Sequence, residues 1–176
     1  MRIISGLHKG RKIQAPKNLP VRPTTDRSKE GLFNILQHRI NLNGTQVLDL
    51  FAGTGNISYE FASRGVAHVT ALDQHRKCVQ FIQKTATSLN LEITVLQGET
   101  VQFLEQNTKQ YDLIFADPPY DIEEEAYHEI VSLGRKSLQA NGMLIIEHFK
   151  QIDLSTSGGY SFDRKYGNNV FSFFIK

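Results

Sequence analysis

One stretch, residues 47–57, constrains the fold more than any other part of this 176-residue chain. An apolar run that contains one acid, Asp49, is followed by the turn Ala52-Gly53-Thr54-Gly55 and by a helical pattern that begins at Ile57. Strand, glycine turn and helix in this order are typical of a nucleotide-type pocket in an α/β fold, because glycine lets the backbone pass close to a ligand. A second acid, Asp73, follows about 20 residues later, where such folds position a carboxylate for ribose hydroxyls.

The residues around this turn argue against a phosphate ligand. A P-loop requires Gly-Lys-Ser/Thr after its glycines, and a dinucleotide-binding turn requires a third glycine where this chain has Ser58. Asp49 would repel a pyrophosphate but would attract an amine. S-adenosylmethionine carries an ammonium, a sulfonium and a ribose diol without a phosphate, so this pattern favours it. An ordinary α/β turn with an N-cap acid is the alternative.

Strand-like and helix-like patterns alternate from residue 46 to the end of the chain. The strand-like runs are 46–50, 68–72, 93–96, 112–116 and 143–147, and the helical patterns are 56–64, 75–89, 100–107 and 122–138. Two further runs, 160–166 and 170–175, flank a Gly-Asn-Asn turn. The alternation predicts an α/β fold with a mostly parallel seven-stranded sheet, helices on both faces and a closing antiparallel hairpin.

The amino-terminal region carries most of the positive charge. Residues 1–30 contain eight lysines and arginines against two acids, whereas the whole chain has a net charge of +2. Residues 1–15 have the pattern of a short hairpin, and a helix is expected from Thr25 or Asp26 to about Ile40. A basic arm on a mildly acidic body favours a polyanionic partner, with solvated surface charge as the alternative.

Composition narrows the remaining function classes. A single cysteine, Cys78, excludes a disulfide or cysteine-based metal framework, and no two histidines have the i, i+4 spacing of a zinc site. We therefore expect no metal site. The absence of a signal peptide and of an apolar run of ~18 residues predicts a cytoplasmic protein without a membrane partner.

The most specific motif, Asp117-Pro118-Pro119-Tyr120, follows the fourth predicted strand. Proline has no N–H, so the local carbonyls stay available as acceptors, and the Asp117 carboxylate is another acceptor. Together with the flat ring of Tyr120, these groups suit an exocyclic amine of a nucleobase, which needs two acceptors and a stacking surface. A proline-rich turn without chemical function is the alternative.

These motifs resemble those of Rossmann-like class I S-adenosylmethionine-dependent methyltransferases, and in particular the RsmD family of bacterial 16S rRNA guanine-N2 methyltransferases. The matching stretches are Arg22-Pro23-Thr24-Thr25-Asp26-Arg27, Leu32-Phe33-Asn34, Asp49 to Gly55, Asp73 and Asp117 to Tyr120. The resemblance implies a basic hairpin extension over residues 1–20 and a methyltransferase domain over residues 21–176. It also implies methylation of a guanine at position 966 of 16S rRNA.

The resemblance implies roles for individual residues. Asp49 and the backbone of Gly53 and Gly55 would hold the methionine moiety, Asp73 the ribose and Glu99 the adenine amino group. The implied cofactor site comprises Thr24, Thr25, Asp49, Phe51, Ala52, Gly53, Thr54, Gly55, Asp73, Gly98 and Glu99. The implied catalytic residues are Asp117, Pro118, Pro119 and Tyr120, and the implied RNA contacts are Lys9, Arg11, Lys12, Arg22 and Arg27.

Because the recognition surface is small, the substrate is expected to be 16S rRNA inside a 30S subunit or an assembly intermediate. The protein is expected to be a monomer. Three other functions remain open. One is a small-molecule amine methyltransferase, in which the basic arm would have no role. An adenine-N6 DNA methyltransferase would use the same acceptor motif, although 176 residues leave no room for a separate DNA-reading domain. A non-catalytic RNA-binding assembly factor would retain the fold without turnover.

Overall fold

The computed structural model describes residues 1–16, 19 and 26–176. Over these residues the chain forms twelve regular elements. The strands are β1 (Gln46–Asp49), β2 (His68–Asp73), β3 (Ile93–Gln97), β4 (Tyr111–Ala116), β5 (Leu138–Phe149), β6 (Tyr160–Tyr166) and β7 (Asn169–Ile175). The helices are α1 (Asp26–Gln37), α2 (Asn56–Ser63), α3 (Arg76–Ser88), α4 (Thr100–Gln106) and α5 (Glu124–Lys136).

The strands form one sheet in the order β3-β2-β1-β4-β5-β7-β6. The first five strands of this order are parallel, β7 is antiparallel to β5, and β6 is antiparallel to β7. This confirms the predicted Rossmann-like class I methyltransferase fold with its closing hairpin. Because the chain runs outward from β1 to β3 and then returns to β4, a crevice is expected at the carboxyl ends of β1 and β4.

Both faces of the sheet are covered by helices, as predicted. Leu32 and Phe33 of α1 and Phe61 of α2 pack in one core cluster, and Leu104 of α4 and Ile130 of α5 pack in the cluster on the other face. A strand that is covered on both faces is apolar at successive positions rather than at alternate ones. Strand β4 follows this rule, since residues 113–116 are all buried.

The closing hairpin belongs to the core. Phe171, Phe173 and Phe174 of β7 are each 0% exposed, so all three contribute to the packing. The turn between β6 and β7 contains two residues, and its first residue, Gly167, has a φ of +67°. Two-residue hairpin turns require this left-handed conformation, which glycine adopts without steric cost.

Strand β5 begins earlier than predicted and α5 ends earlier. The pattern suggested a helix to residue 138 and a strand from Met143, but Leu138 already pairs with Tyr111 in the sheet. The register shifts between this pair and the next, and Asn141 has a φ of +65° within the extra length. A bulge therefore joins two segments of one strand, and the Asn-Gly pair marks the bulge rather than a turn before the strand.

The amino-terminal hairpin is shorter than predicted but is packed on the body. Its pairing is one antiparallel bridge between Arg2 and Lys12, extended by a hydrogen bond from the Ile3 N–H to the Arg11 carbonyl at 3.0 Å. Ile3 and Ile13 are buried in a cluster with residues of α2 and α3. The division at residues 20 and 21 stays a prediction. In the described part of the chain, no helix is long and apolar enough to cross a membrane.

Candidate active site

The glycine turn after β1 is shaped by packing as well as by its backbone conformation. Gly53 and Gly55 have φ values of +55° and +78°, and Gly55 directly precedes α2. A Cβ on Gly55 would lie 2.5 Å from the ring of Tyr59, which is itself buried. Glycine at position 55 is therefore required by its left-handed backbone and by the close approach of Tyr59.

Asp73 connects the end of β2 to this turn. Its Oδ2 accepts a hydrogen bond from the Gly53 N–H at 2.7 Å, and its Oδ1 accepts one from the His75 N–H at 2.8 Å. A carboxylate oxygen has two lone pairs, so each oxygen retains acceptor capacity for a ligand. Asp73 thus holds the turn in position and can still bind a pair of hydroxyls.

Asp49 is a buried acid at the carboxyl end of β1. It is 1% exposed, and its Oδ2 accepts a hydrogen bond from the Ser58 hydroxyl at 2.6 Å. Burial raises the pKa of Asp49 to about 7, with a further increase from the negative charge of Asp73, while the bond from Ser58 opposes the shift. A cation in the adjacent cavity would favour the ionised form of this carboxyl.

Glu99 has a structural role that the sequence interpretation did not predict. Its carboxylate caps α4 by accepting hydrogen bonds from the Val101 N–H at 3.0 Å and the Gln102 N–H at 2.8 Å. Such a cap satisfies N–H groups that have no partner within the helix. Glu99 is nevertheless exposed and lines the same cavity as Asp73.

The Asp-Pro-Pro-Tyr motif follows β4 directly. Pro118 is buried, Asp117 is half-buried, and Pro119 and Tyr120 are exposed, Tyr120 to 42%. The ring of Tyr120 stacks on the ring of Phe149, with centroids 4.1 Å apart and an interplanar angle of 20°. Phe149 ends β5, so the β4 motif and the neighbouring strand form a common aromatic surface.

These strand ends surround a cavity of about 410 Å³. The predicted residues that line it are Asp49, Phe51, Ala52, Gly53, Thr54, Asp73, Glu99, Asp117, Pro118, Pro119 and Tyr120. Gly55 and Gly98 are not part of the lining: Gly55 lies against Tyr59, and a Cβ on Gly98 would meet Leu72 at 3.3 Å. Thr24, Thr25 and Arg22 lie outside the described residues.

Several lining residues were missed by the sequence interpretation. Ala126 and Ile130 contribute one face of α5, and Ile122 precedes that helix at the same spacing of four residues. Gln74 and His75 follow Asp73. The four-residue spacing was a readable signal, but it does not distinguish a helix face that covers a core from one that borders a cavity.

The hairpin presents three of the predicted RNA contacts at the surface. Lys9, Arg11 and Lys12 are exposed there, and Arg27 is exposed near the start of α1. Lys29, which contributes to the same excess of positive charge in the sequence, is 0% exposed. The charge count of residues 1–30 therefore overstates the basic surface.

Lys29 instead belongs to a buried polar cluster below the hairpin. Its Nζ donates to the Arg2 carbonyl at 2.6 Å and to Asn56 Oδ1 at 2.8 Å, and it lies 3.5 Å from Glu60 Oε2. Asn56 also lines the cavity. Burial lowers the pKa of Lys29, and the negative charge of Glu60 opposes this shift.

Comparisons with known proteins agree with this geometry. A family model described as "Conserved hypothetical protein 95" matches residues 1–175. The Bacillus subtilis protein named "Putative rRNA methyltransferase YlbH" is 32% identical over 166 residues, which cover 90% of this chain and 88% of the relative. The ribosomal RNA small subunit methyltransferase D of Haemophilus influenzae is 29% identical over 180 residues, covering 98% of this chain and 91% of the relative.

A solved structure described as "Putative methyltransferase yhhF from Escherichia coli" has a TM-score of 0.85 and 27% identity to this chain. The superposition covers 100% of this chain and 97% of that one. The family match therefore extends from the amino-terminal hairpin to β7. The chain belongs to the RsmD family of S-adenosylmethionine-dependent methyltransferases.

Proposed function

We propose that this protein transfers a methyl group from S-adenosylmethionine to the exocyclic N2 of a guanine in 16S rRNA. The observation that carries the proposal is that one cavity is lined by both the Asp117-Pro118-Pro119-Tyr120 motif and the acids of β1 and β2. By family resemblance, the target is the guanine at position 966. We further propose that the enzyme acts as a monomer in the cytoplasm, on a 30S subunit or an assembly intermediate.

The cavity residues suit S-adenosylmethionine. A volume of about 410 Å³ lies within the usual range for small-molecule sites. Asp73 offers acceptors for a ribose diol, and Asp49 offers a carboxyl that ionises readily beside a cation. Phe51 and Val101 supply apolar surface for an adenine ring. Gly53 adds no side chain, which leaves space at the backbone.

The β4 motif suits the amine of a base. When bound, S-adenosylmethionine supplies an electrophilic methyl group. A base amine would attack that methyl carbon as the carbon–sulfur bond breaks, and the amine would then lose a proton. Asp117 and a proline-motif carbonyl would hold the two amine hydrogens and direct the nitrogen lone pair, which is a contribution of positioning. Asp117 would accept the proton late in the reaction.

The base must leave its stack to enter this cavity. Tyr120 supplies an aromatic surface at the cavity, since 42% of the residue is exposed. Lys9, Arg11 and Lys12 on the hairpin, together with Arg22 and Arg27, would contact RNA phosphates. Phosphate contacts orient a protein on its nucleic acid but carry little sequence information. An assembled particle would therefore contribute much of the site selection.

The test is methyl transfer from labelled S-adenosylmethionine to 30S particles from a strain that lacks this gene. Naked 16S rRNA and duplex DNA are assayed in parallel, and the modified nucleoside is identified after digestion. We expect N2-methylguanosine from the particles and a loss of at least 100-fold with Asp117→Ala, because the main acceptor for the amine is gone. Asp121→Ala, an exposed acid in the same loop, is the matched control and should retain activity.

Other outcomes would identify other functions. N6-methyladenine in DNA would indicate the adenine methyltransferase instead. Cofactor binding without transfer to any of the three substrates would indicate a non-catalytic assembly factor. Equal activity of the Asp117→Ala and Asp121→Ala variants would contradict the assigned role of the β4 motif.

A further inference from the structure

A second carboxyl, that of Glu147, lies near the carboxyl end of β5, the strand that pairs with β4. Strands β4 and β5 pair in parallel, and the last pair in register is Ala116 opposite Ile146. The next residues are Asp117, which directly follows β4, and Glu147 of β5. Adjacent strands in a sheet lie about 4.8 Å apart, so this register brings the two acids to neighbouring positions at the same edge of the sheet.

The carboxyl of Glu147 is buried and only half satisfied. The residue is 1% exposed, and its Oε1 accepts a hydrogen bond from Asn169 Nδ2 at 2.6 Å. Its Oε2 is also buried, and no group among the described residues donates a hydrogen bond to it. Burial raises the pKa of Glu147 to about 7, while the bond from Asn169 opposes the shift. Leaving a buried acceptor unsatisfied costs about 1–3 kcal/mol, so packing alone does not explain this residue.

The next residue, His148, is also buried and polar, but both of its ring nitrogens have hydrogen-bond partners. His148 is 2% exposed, and its Nδ1–H donates to the Phe149 carbonyl at 2.8 Å. Its Nε2 then accepts from the Ser172 hydroxyl at 2.8 Å, which matches a neutral ring whose pKa is lowered by burial. Both nitrogens of His148 are thus hydrogen-bonded, whereas Glu147 Oε2 has no donor among the described residues.

The geometry points to Glu147 as the specificity residue for guanine: its Oε2 accepts the ring N1–H next to the amine that Asp117 holds. This assignment rests on the proposed function. Guanine presents N1–H, a donor, beside its N2 amine. Adenine presents N1, an acceptor, beside its N6 amine. Above the Glu147 pKa of about 7, the ionised carboxylate therefore repels adenine N1 and attracts guanine N1–H. Glu147 would thereby exclude adenine, whose N6 amine the β4 motif alone cannot distinguish from the N2 amine of guanine.

Glu147 does not line the cavity itself, so a base would reach its carboxyl only by a local movement at the neighbouring ring pair. Tyr120 and Phe149 form the ring pair at this edge, and Tyr120 is 42% exposed. Phe149 lies two residues beyond Glu147 on the same strand, so both side chains point to the same face of the sheet. A base that stacks on the Tyr120 ring would therefore arrive next to the Glu147 carboxyl.

The test compares guanine with 2-aminopurine at the methylated position of 16S rRNA in reconstituted particles. 2-Aminopurine retains the amine at C2 but lacks N1–H. We expect the wild-type enzyme to prefer guanine by about 10- to 100-fold in kcat/KM, the range of a hydrogen bond to a charged group. Glu147→Leu and Glu147→Gln should lower kcat/KM for guanine by a similar factor and change that for 2-aminopurine by less than about threefold.

Stability and cofactor binding separate this role from a structural one. Glu147→Leu should retain or raise the melting temperature, since it removes an unsatisfied buried carboxyl, and should leave the affinity for S-adenosylmethionine unchanged. Ser172→Ala removes a buried hydroxyl that bonds His148, and it should keep the preference for guanine. If Glu147→Leu unfolds the protein, the isosteric Glu147→Gln variant gives the deciding comparison.

An equal loss of activity on guanine and 2-aminopurine in the Glu147 variants would overturn the inference, as would a wild-type enzyme that does not distinguish the two bases. Failure of the proposed function would look different, because the wild-type enzyme itself would then yield no N2-methylguanosine from unmodified particles. That result would overturn both proposals together.

Discussion

At the scale of single residues, the two carboxyls with raised pKa values make the protein sensitive to pH. Asp49 and Glu147 both have a pKa of about 7 in the folded state, against ordinary values of 3.8 and 4.5, because they are buried. A raised pKa means that folding favours the protonated form. The contribution of these two groups to the free energy of unfolding should therefore be highest below about pH 4 and should fall as the pH rises to about 7.

Replacing Asp49 by Asn separates stability from cofactor binding. We expect Asp49→Asn to raise the melting temperature at pH 8 and to reduce the fall in stability between pH 4 and pH 7, because the amide does not ionise. The amide oxygen can still accept the Ser58 hydrogen bond. Affinity for S-adenosylmethionine should fall by about tenfold or more, since the attraction to its cationic groups is lost. Thermal unfolding at several pH values and calorimetric titration measure the two effects.

The exposed Asp121→Asn variant is the control for both measurements and should match the wild type in each. A melting temperature of Asp49→Asn that is lower than that of the wild type at pH 8 would contradict the raised pKa. Unchanged affinity for the cofactor would instead show that Asp49 does not contact its cationic groups.

Among the elements, α1 packs unusually close to the closing hairpin of β6 and β7. A Cβ on Gly31 of α1 would lie 2.3 Å from Cε1 of Tyr166, the last residue of β6. Glycine within a helix costs about 1 kcal/mol relative to alanine, so this position gives up helical stability. Glycine is present at position 31 because the ring of Tyr166 in the closing hairpin leaves no room for a Cβ. The helical pattern of residues 26–37 does not reveal this contact.

We expect Gly31→Ala to destabilise the protein by about 1–3 kcal/mol, because overpacking against Tyr166 outweighs the gain in helix propensity. The double variant Gly31→Ala/Tyr166→Ala should be more stable than the sum of the two single changes implies. A double-mutant cycle from chemical denaturation measures this coupling. An additive cycle, or a single variant as stable as the wild type, would show that the Tyr166 ring moves aside without cost.

At the scale of the whole molecule, one buried cluster joins the amino-terminal hairpin, α1 and α2. Glu60 of α2 accepts hydrogen bonds from the backbone N–H groups of Ile4 at 2.8 Å and Ser5 at 3.0 Å. Lys29 of α1 lies 3.5 Å from the same carboxylate, and Arg64 Nε donates to it at 2.8 Å. The proposed RNA-binding hairpin is therefore held by the same residues that organise the helices beside the cavity.

Lys29→Met should release this hairpin. Loss of one partner of a buried ion pair costs about 3 kcal/mol, which corresponds to a decrease of about 6–12 °C in melting temperature for a chain of this size. The N–H groups of Ile4 and Ser5 should exchange with solvent faster in this variant than in the wild type, whereas exchange in β4 should change less. Hydrogen exchange and thermal unfolding test this, with exposed Lys12→Met as the control. Unchanged exchange at Ile4 and Ser5 would show that Glu60 and Arg64 hold the hairpin without Lys29.

Much of the fold could be predicted because local patterns and short-range rules agree. The apolar run before Asp49, the glycines after it and the alternation of strand and helix together determine a parallel sheet with a crevice at its carboxyl edge. Glu99 was harder to interpret, because an acid after a strand can face a ligand or cap the next helix, and here it caps α4. The bulge at Asn141 was missed because Asn-Gly also occurs in tight turns.

The α/β class, the turn at Gly53 and Gly55 and the Asp117 motif could all be predicted, since each depends on residues that are close along the chain. Tertiary packing is needed to bury Lys29, to stack Phe149 on Tyr120 and to pair β4 with β5 in the register that brings Glu147 to a position neighbouring Asp117. These relations join residues about 30 positions apart. They depend on strand register and on which helix covers which face, and both follow from the packing of the whole chain.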